Sequence, residues 1–291
     1  EMGYEVDPVM IKLRSSGVLI EYHPEVHPFD TFILCVKAAD GRLYYIDGGS
    51  NNAFVNILPP LMLVPNARLI KPKQCGWVDL TNLSRNNLVM SVYASLKPDM
   101  TFEGKVDARF TGVRSYEEKS DFHSCGSEDK YIENMEQESS IEIGELTVTG
   151  TDEYSSQMMF SYDYVMDADP MGDMIYVSPF LTRFHSPDAF QSLTRSCPID
   201  FPSAYSVTYM YALNIPEGYS IEQVPENLNI ETEALDAIMR LDVQTAGAVV
   251  KVIFTYNQKS MNGFMEDYET IRQFWQYIND VYDSMIVLKK I

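Results

Sequence analysis

Along Ser206–Ile215 every second residue is large and apolar: Val207, Tyr209, Tyr211, Leu213 and Ile215. An alternation this pure describes a strand with one face in a core, and it restricts the chain to folds built on half-buried sheet. The same period of two recurs in Leu88, Met90, Val92, Ala94 and Leu96, and past the turn Lys97-Pro98-Asp99 in Val106, Ala108 and Phe110. Ile141–Gly150, Met158–Val165, Met174–Val177, Ile238–Val243 and Val249–Tyr256 follow it too. Turns at roughly 10-residue spacing are the cadence of an antiparallel sandwich or jelly roll. Two stretches break the pattern. Ser115–Glu138 is acidic and weakly helical, while Glu266–Asp283 carries Ile271, Phe274, Trp275, Ile278, Val281 and Tyr282 on one face, an amphipathic helix laid on a sheet.

The first 75 residues also read as strands and loops, with Val9–Arg14 a short strand. Phe32–Ala38 and Arg42–Gly48 predict a hairpin around Ala39-Asp40-Gly41, where Gly41 suits the left-handed position of a three-residue loop. The register sets Leu34 against Ile46 and Cys35 against Tyr45. Phe32, Leu34, Val36, Tyr44 and Ile46 then form a continuous apolar face, and Thr31, Ile33, Cys35, Tyr45 and Asp47 a mixed one.

Charge divides the chain. The 291 residues hold 22 Lys+Arg against 42 Asp+Glu, a net of −20. Residues 1–75 hold eight acids and seven bases, so nearly all the excess falls in 76–291. This step, at the turn-rich Lys71–Gly76, predicts two domains, 1–75 and 76–291. The acidity argues against nucleic acid or anionic lipid as partners. No apolar run approaches the roughly 20 residues that span a bilayer. Glu1 follows no initiator Met or signal segment, so the chain reads as a mature form or a fragment. Cys35, Cys75, Cys125 and Cys197 are widely spaced; four unpaired thiols are expected, with two disulfides the alternative, and no zinc or cofactor motif appears.

Residues 3–60 resemble the second half of the papain-like core of exported bacterial transglutaminase-like proteins. The matching text is Gly3–Val9, Leu13-Arg14, Gly17, Phe29–Ile33 and Asp40–Asp47. Residues 197–291 resemble the β-rich tail that follows that core, through Pro198-Ile199-Asp200-Phe201, Ile215–Tyr219, Val224-Pro225, Tyr268 with Phe274, and Val287–Lys290. The fold implied is α+β and mainly β. A truncated papain-like, transglutaminase-like core remnant precedes an antiparallel, jelly-roll-like β-sandwich with a C-terminal amphipathic helix.

The resemblance also implies a site. An enzyme of that family uses a Cys at a helix N-terminus, a His on the first strand of a hairpin and an Asp on the second. Asp47 matches the Asp position, Thr31 stands at the His position, and the Cys would lie ahead of Gly3. A hydroxyl cannot hold a proton where imidazole does, so Thr31 cannot serve as general base. His27 is near in sequence but four residues early. The resemblance therefore implies a degenerate active site.

Other candidates have plainer readings beside them. Asp167, Asp169 and Asp173 begin like a calcium loop, but Ser178 stands where the bidentate acid belongs, which favours an acidic hairpin turn. His123 and Cys125 lie two apart and would not face each other on a helix. His23 and His185 are isolated. The acidic run Glu117–Glu153 reads as a solvated face, and the many aromatics as core and cross-strand pairs. Three functions stay open: a non-catalytic exported binding or scaffolding protein at the cell envelope, periplasmic or on the surface, with a protein, peptide or glycan partner; the C-terminal part of a cysteine-dependent acyl transferase or peptidase; or a carbohydrate-binding sandwich.

Overall fold

A computed structural model describes residues 4–21, 28–152 and 154–291. Strands β1 (Glu5–Ile11), β2 (Thr31–Lys37), β3 (Leu43–Ile46), β4 (Ala67–Leu69) and β5 (Gly76–Val78) form an antiparallel sheet in the order β3-β2-β1-β4-β5. The β2–β3 hairpin turns on Gly41 at φ 84°, whose N–H donates to Ala38 O at 2.9 Å, and Cys35 pairs with Tyr45. Its mixed face, not its continuously apolar one, enters the core. Ile33, Cys35 and Tyr45 are buried with Val9, Ile11, Leu58, Leu63 and Leu80, because the segment between β3 and β4 folds back over that side. The opposite face leaves Phe32 59% and Leu34 40% exposed. The first sheet runs on through β5 to Val78, past the division expected at residue 75.

The rest of the chain begins with β6 (Asn87–Leu96) and β7 (Thr101–Thr111), helices α1 (Val113–Ser124) and α2 (Glu128–Ser139), and strands β8 (Glu142–Thr149) and β9 (Gln157–Asp167). The short β10 (Pro170–Met171), β11 (Met174–Val177) and β12 (Ile199–Asp200) lead to β13 (Tyr205–Asn214), β14 (Tyr219–Gln223), β15 (Leu228–Thr232), β16 (Ala237–Ala246) and β17 (Val249–Gln258). β18 (Asn262–Gly263), α3 (Tyr268–Tyr282) and β19 (Ile286–Lys290) complete it. The long strands form one eight-stranded sheet, β15-β16-β17-β13-β6-β7-β9-β8, and β10-β11-β19-β14 form a smaller one.

This corrects the expected jelly-roll-like sandwich in two respects. The large sheet is mixed, since β6 and β13 run parallel at its centre. Its inner face is covered by α3, the smaller sheet and the α1–α2 hairpin rather than by an equal second sheet. The helix stripe from Ile271 to Tyr282 is buried as its spacing predicts, but a strand, β19, follows it. The acidic stretch makes two helices, the second capped by Ser127, whose hydroxyl accepts from Lys130 N at 3.2 Å.

Asn86 joins these parts. Its Oδ1 accepts from Val113 N at 2.9 Å and from Ser84 Oγ at 2.9 Å, and its Nδ2 donates to Ala204 O at 2.8 Å. One buried amide thus fixes the entries to α1, β6 and β13. Gly112, at φ 63°, makes room for it: a Cβ there would lie 2.3 Å from Asn86 Oδ1. Replacing Asn86 by Leu strands these partners, and urea unfolding is expected to show a loss of about 2–4 kcal/mol.

Candidate functional site

Thr31 opens β2 opposite Ile11, and Asp47 follows the last residue of β3; both are half-buried on the face that holds Cys35 and Tyr45. Asp47 turns to its own loop, where Oδ1 accepts from Gly49 N at 2.9 Å, an Asx turn. Burial, and then the Asp7 charge, push the nearby Cys35 thiol up, which disfavours the thiolate that a nucleophile needs. His23 and His27 lie outside the described residues.

The remaining candidates are not brought together. His123 Nδ1 lies 3.0 Å from Asn52 Oδ1, while Cys125 Sγ accepts from Asn134 Nδ2 at 3.4 Å. Asp167, Asp169 and Asp173 spread along the β9–β11 connection, and among the described residues no three His, Cys, Asp or Glu side chains could hold one ion. All four thiols are unpaired, Cys35 buried, Cys125 half-buried, Cys75 and Cys197 exposed. The large sheet turns its aromatics inward. On the outward positions of its eight strands Tyr93 is the single aromatic, which leaves the carbohydrate reading without a stacking platform.

Arg14 links the hairpin sheet to the rest. Its guanidinium pairs with the Asp200 carboxylate and donates to Phe201 O at 2.6 Å and Pro202 O at 2.9 Å. Burial lowers its proton affinity, and the three acceptors hold the charge in place. Arg14→Met should cost roughly 2 kcal/mol, discounted for the exposed Asp200. Limited proteolysis should then cut within residues 13–21 faster than in the wild type.

His185 is embedded in an aromatic box. Its Nδ1 lies 2.7 Å from Tyr282 Oη, and its ring centroid lies 4.4 Å from that of Tyr256 and 5.2 Å from that of Trp275. Burial pushes its pKa from 6.5 down to about 3. The unfolded chain therefore takes the proton first, and His185 withdraws stability as pH falls from 6.5 toward 3. Between pH 7 and pH 5 that loss is about 2 kcal/mol. His185→Phe should remove it. Burial raises the carboxyls of Glu117, Glu118 and Asp121, which act in the opposite sense, so the measurement is the difference between wild-type and variant urea unfolding at the two pH values.

A cavity of ≈510 Å³ lies between the large sheet and the α1–α2 hairpin, within the size range of ligand pockets. Its floor is Leu88, Met90, Phe110, Phe160 and Tyr162. Its roof is one face of α1, with Arg114, Glu118, Asp121 and Cys125 at i, i+4, i+7 and i+11. Arg114 Nη1 donates to Glu117 at 3.0 Å, its guanidinium lies 5.7 Å from the Tyr205 ring, and its buried Nε has no partner among the described residues. Glu118 accepts from the Tyr131 hydroxyl, and desolvation raises its carboxyl. Neither group was singled out by the sequence: Glu118 belongs to the run Glu117–Glu153 read as solvated, and Arg114 stands just ahead of it. The signal that could have found them is the i, i+4, i+7, i+11 row itself.

Residues 173–288 match the family described as Domain of Unknown Function with solved-structure structure (DUF3858). Over 99% of its length the chain is similar in fold to the crystal structure of a putative protease from Parabacteroides distasonis ATCC 8503, at TM-score 0.51 and 10% identity. The chain spans 40% of the length of that structure. No curated protein matches the chain. The molecule is thus a mainly β protein in which the stretch from β11 to β19 matches the DUF3858 model, and its fold resembles part of that larger protein.

Proposed function

We propose that the chain is a non-catalytic binding or scaffolding protein of the exported transglutaminase-like kind, acting in the periplasm or at the cell surface on a protein or peptide partner. The observation that carries this reading is Thr31. The family resemblance puts it where a catalytic hairpin would need an imidazole, and Asp47, which the same resemblance would have orient that imidazole, accepts from Gly49 N in its own turn. A scaffold that keeps the hairpin without its base can hold a partner but cannot move a proton at neutral pH. The placement at the envelope is supported by the family resemblance.

Incorporation of a fluorescent primary amine into casein is the direct test. The protein should give none above the blank, and Thr31→Ala should change nothing. Incorporation that iodoacetamide blocks and Asp47→Ala abolishes would overturn the reading.

A second reading has its own support, since the fold likeness covers 40% of a longer chain described as a putative protease. In that case these residues form the C-terminal part of a cysteine-dependent acyl transferase or peptidase, with nucleophile and base supplied from elsewhere in the polypeptide. The same assay on the natural full-length protein separates the two.

A further inference from the structure

We propose that the cavity beneath the α1–α2 hairpin is a binding site for an apolar α-amino acid in its zwitterionic form, recognised by Arg114 and Glu118 over an aromatic floor. This does not rest on the reading of Thr31 and Asp47. The lining combines two chemistries that ordinary packing keeps apart. A helix lying on a sheet turns its apolar side inward, yet α1 presents Arg114, Glu118 and Asp121 to Leu88, Phe110 and Phe160 across open space.

The two deeper charges lie one helical turn apart and carry opposite signs. Arg114 is engaged on one side by Glu117, and its Nε–H, buried and unpartnered, needs an acceptor. Glu118 is desolvated, with Tyr131 on Oε1 as its hydrogen-bond partner. A carboxylate on Arg114 and an ammonium on Glu118 would complete both groups with charge-assisted hydrogen bonds. The side chain of the ligand would then lie on Phe110, Phe160 and Tyr162, where apolar and aromatic contact is favoured. A purely anionic ligand would meet Glu118 and Asp121, and a purely cationic one Arg114 and Arg183, so each single-charge ligand faces repulsion that the zwitterion avoids. The lining is assembled from separate parts of the chain, its floor from β6, β7 and β9 and its far side from Thr182, Arg183 and Phe184 beyond β11.

Isothermal titration of the whole chain with L-phenylalanine, N-acetyl-L-phenylalanine and L-phenylalaninamide tests this. Phenylalanine should bind saturably with a dissociation constant on the order of 1 mM, as expected for so small a ligand. Removing either charge of the ligand should weaken binding at least about fivefold. Glu118→Gln should erase the difference between phenylalanine and its acetylated form, and Arg114→Met the difference between phenylalanine and its amide. These comparisons are made within one protein, so a general loss of stability does not mimic them; Arg114→Lys, checked by circular dichroism, stands in should Arg114→Met fail to fold. The dipeptide Phe-Ala separates sources: stronger binding than phenylalanine assigns the site to short peptides, weaker binding to the free amino acid. Absence of saturable phenylalanine binding, or equal binding of all three compounds to the wild type, would overturn the proposal.

Discussion

The parallel pairing of β6 with β13 is the constraint on which the larger part of the molecule rests. Nine residue pairs, from Asn87 with Ser206 to Ser95 with Asn214, join two antiparallel halves into one sheet. Parallel neighbours need a long connection that returns over a face of the sheet. Here the return carries α1, α2 and the short strands, all of which pack on the same side. One face is therefore dry and aromatic, and the other is left to Lys105, Asp107, Arg109 and Asp163. Some phenols of the dry face find partners, while the buried Tyr164 hydroxyl has none among the described residues. Tyr209 donates to Pro179 O at 2.8 Å and Tyr256 to Gln258 Oε1 at 2.6 Å. Burial raises the pKa of such hydroxyls, which stay neutral across the whole physiological range.

The cavity follows from how α1 is anchored on this face. Val113, Ser115 and Lys119 are its buried residues, and Lys119 Nζ donates to Asp152 O at 3.0 Å and Ser155 O at 2.5 Å. These contacts set the rotation of the helix, and that rotation turns the Arg114–Glu118 row toward Phe110 and Phe160. Closing the gap would strip water from two charges against an apolar floor, a cost of several kcal/mol per ion.

What the sequence made legible follows the same physics. The long strands β6, β7, β9, β13 and β17 announce themselves because each has one dry face, and α3 because its stripe is dry on one side. Short strands such as β4, with three residues, or the exposed β14 bury too little for any period to show. Partner choice is not written locally. Nothing in Leu88–Leu96 distinguishes a parallel neighbour 119 positions on from an antiparallel one, which is why a sandwich was expected where a mixed sheet forms. In the β2–β3 hairpin the register was legible and the buried face was not. Phe32 and Leu34 look like core in sequence, yet the loop from Ala53 to Val64 covers Ile33 and Cys35 instead. Of the candidate site, Thr31 and Asp47 could be placed on one face from the hairpin alone. The Arg114–Glu118 row was hidden because a charged helix beside a cavity has the same composition as a charged helix in water.

Two of the segments from which the sequence led one to expect a family resemblance also acquire a physical meaning. Leu13-Arg14 and Pro198-Ile199-Asp200-Phe201 lie more than 180 positions apart, and the guanidinium of Arg14 binds the second stretch at Asp200, Phe201 and Pro202. They are not independent signals but the two sides of one joint. Arginine suits it because one planar cation can satisfy a carboxylate and two carbonyls together, a geometry that lysine cannot reproduce. What these residues record is therefore the attachment of the hairpin sheet to the β-rich part. That attachment needs no nucleophile, no base and no reacting atom.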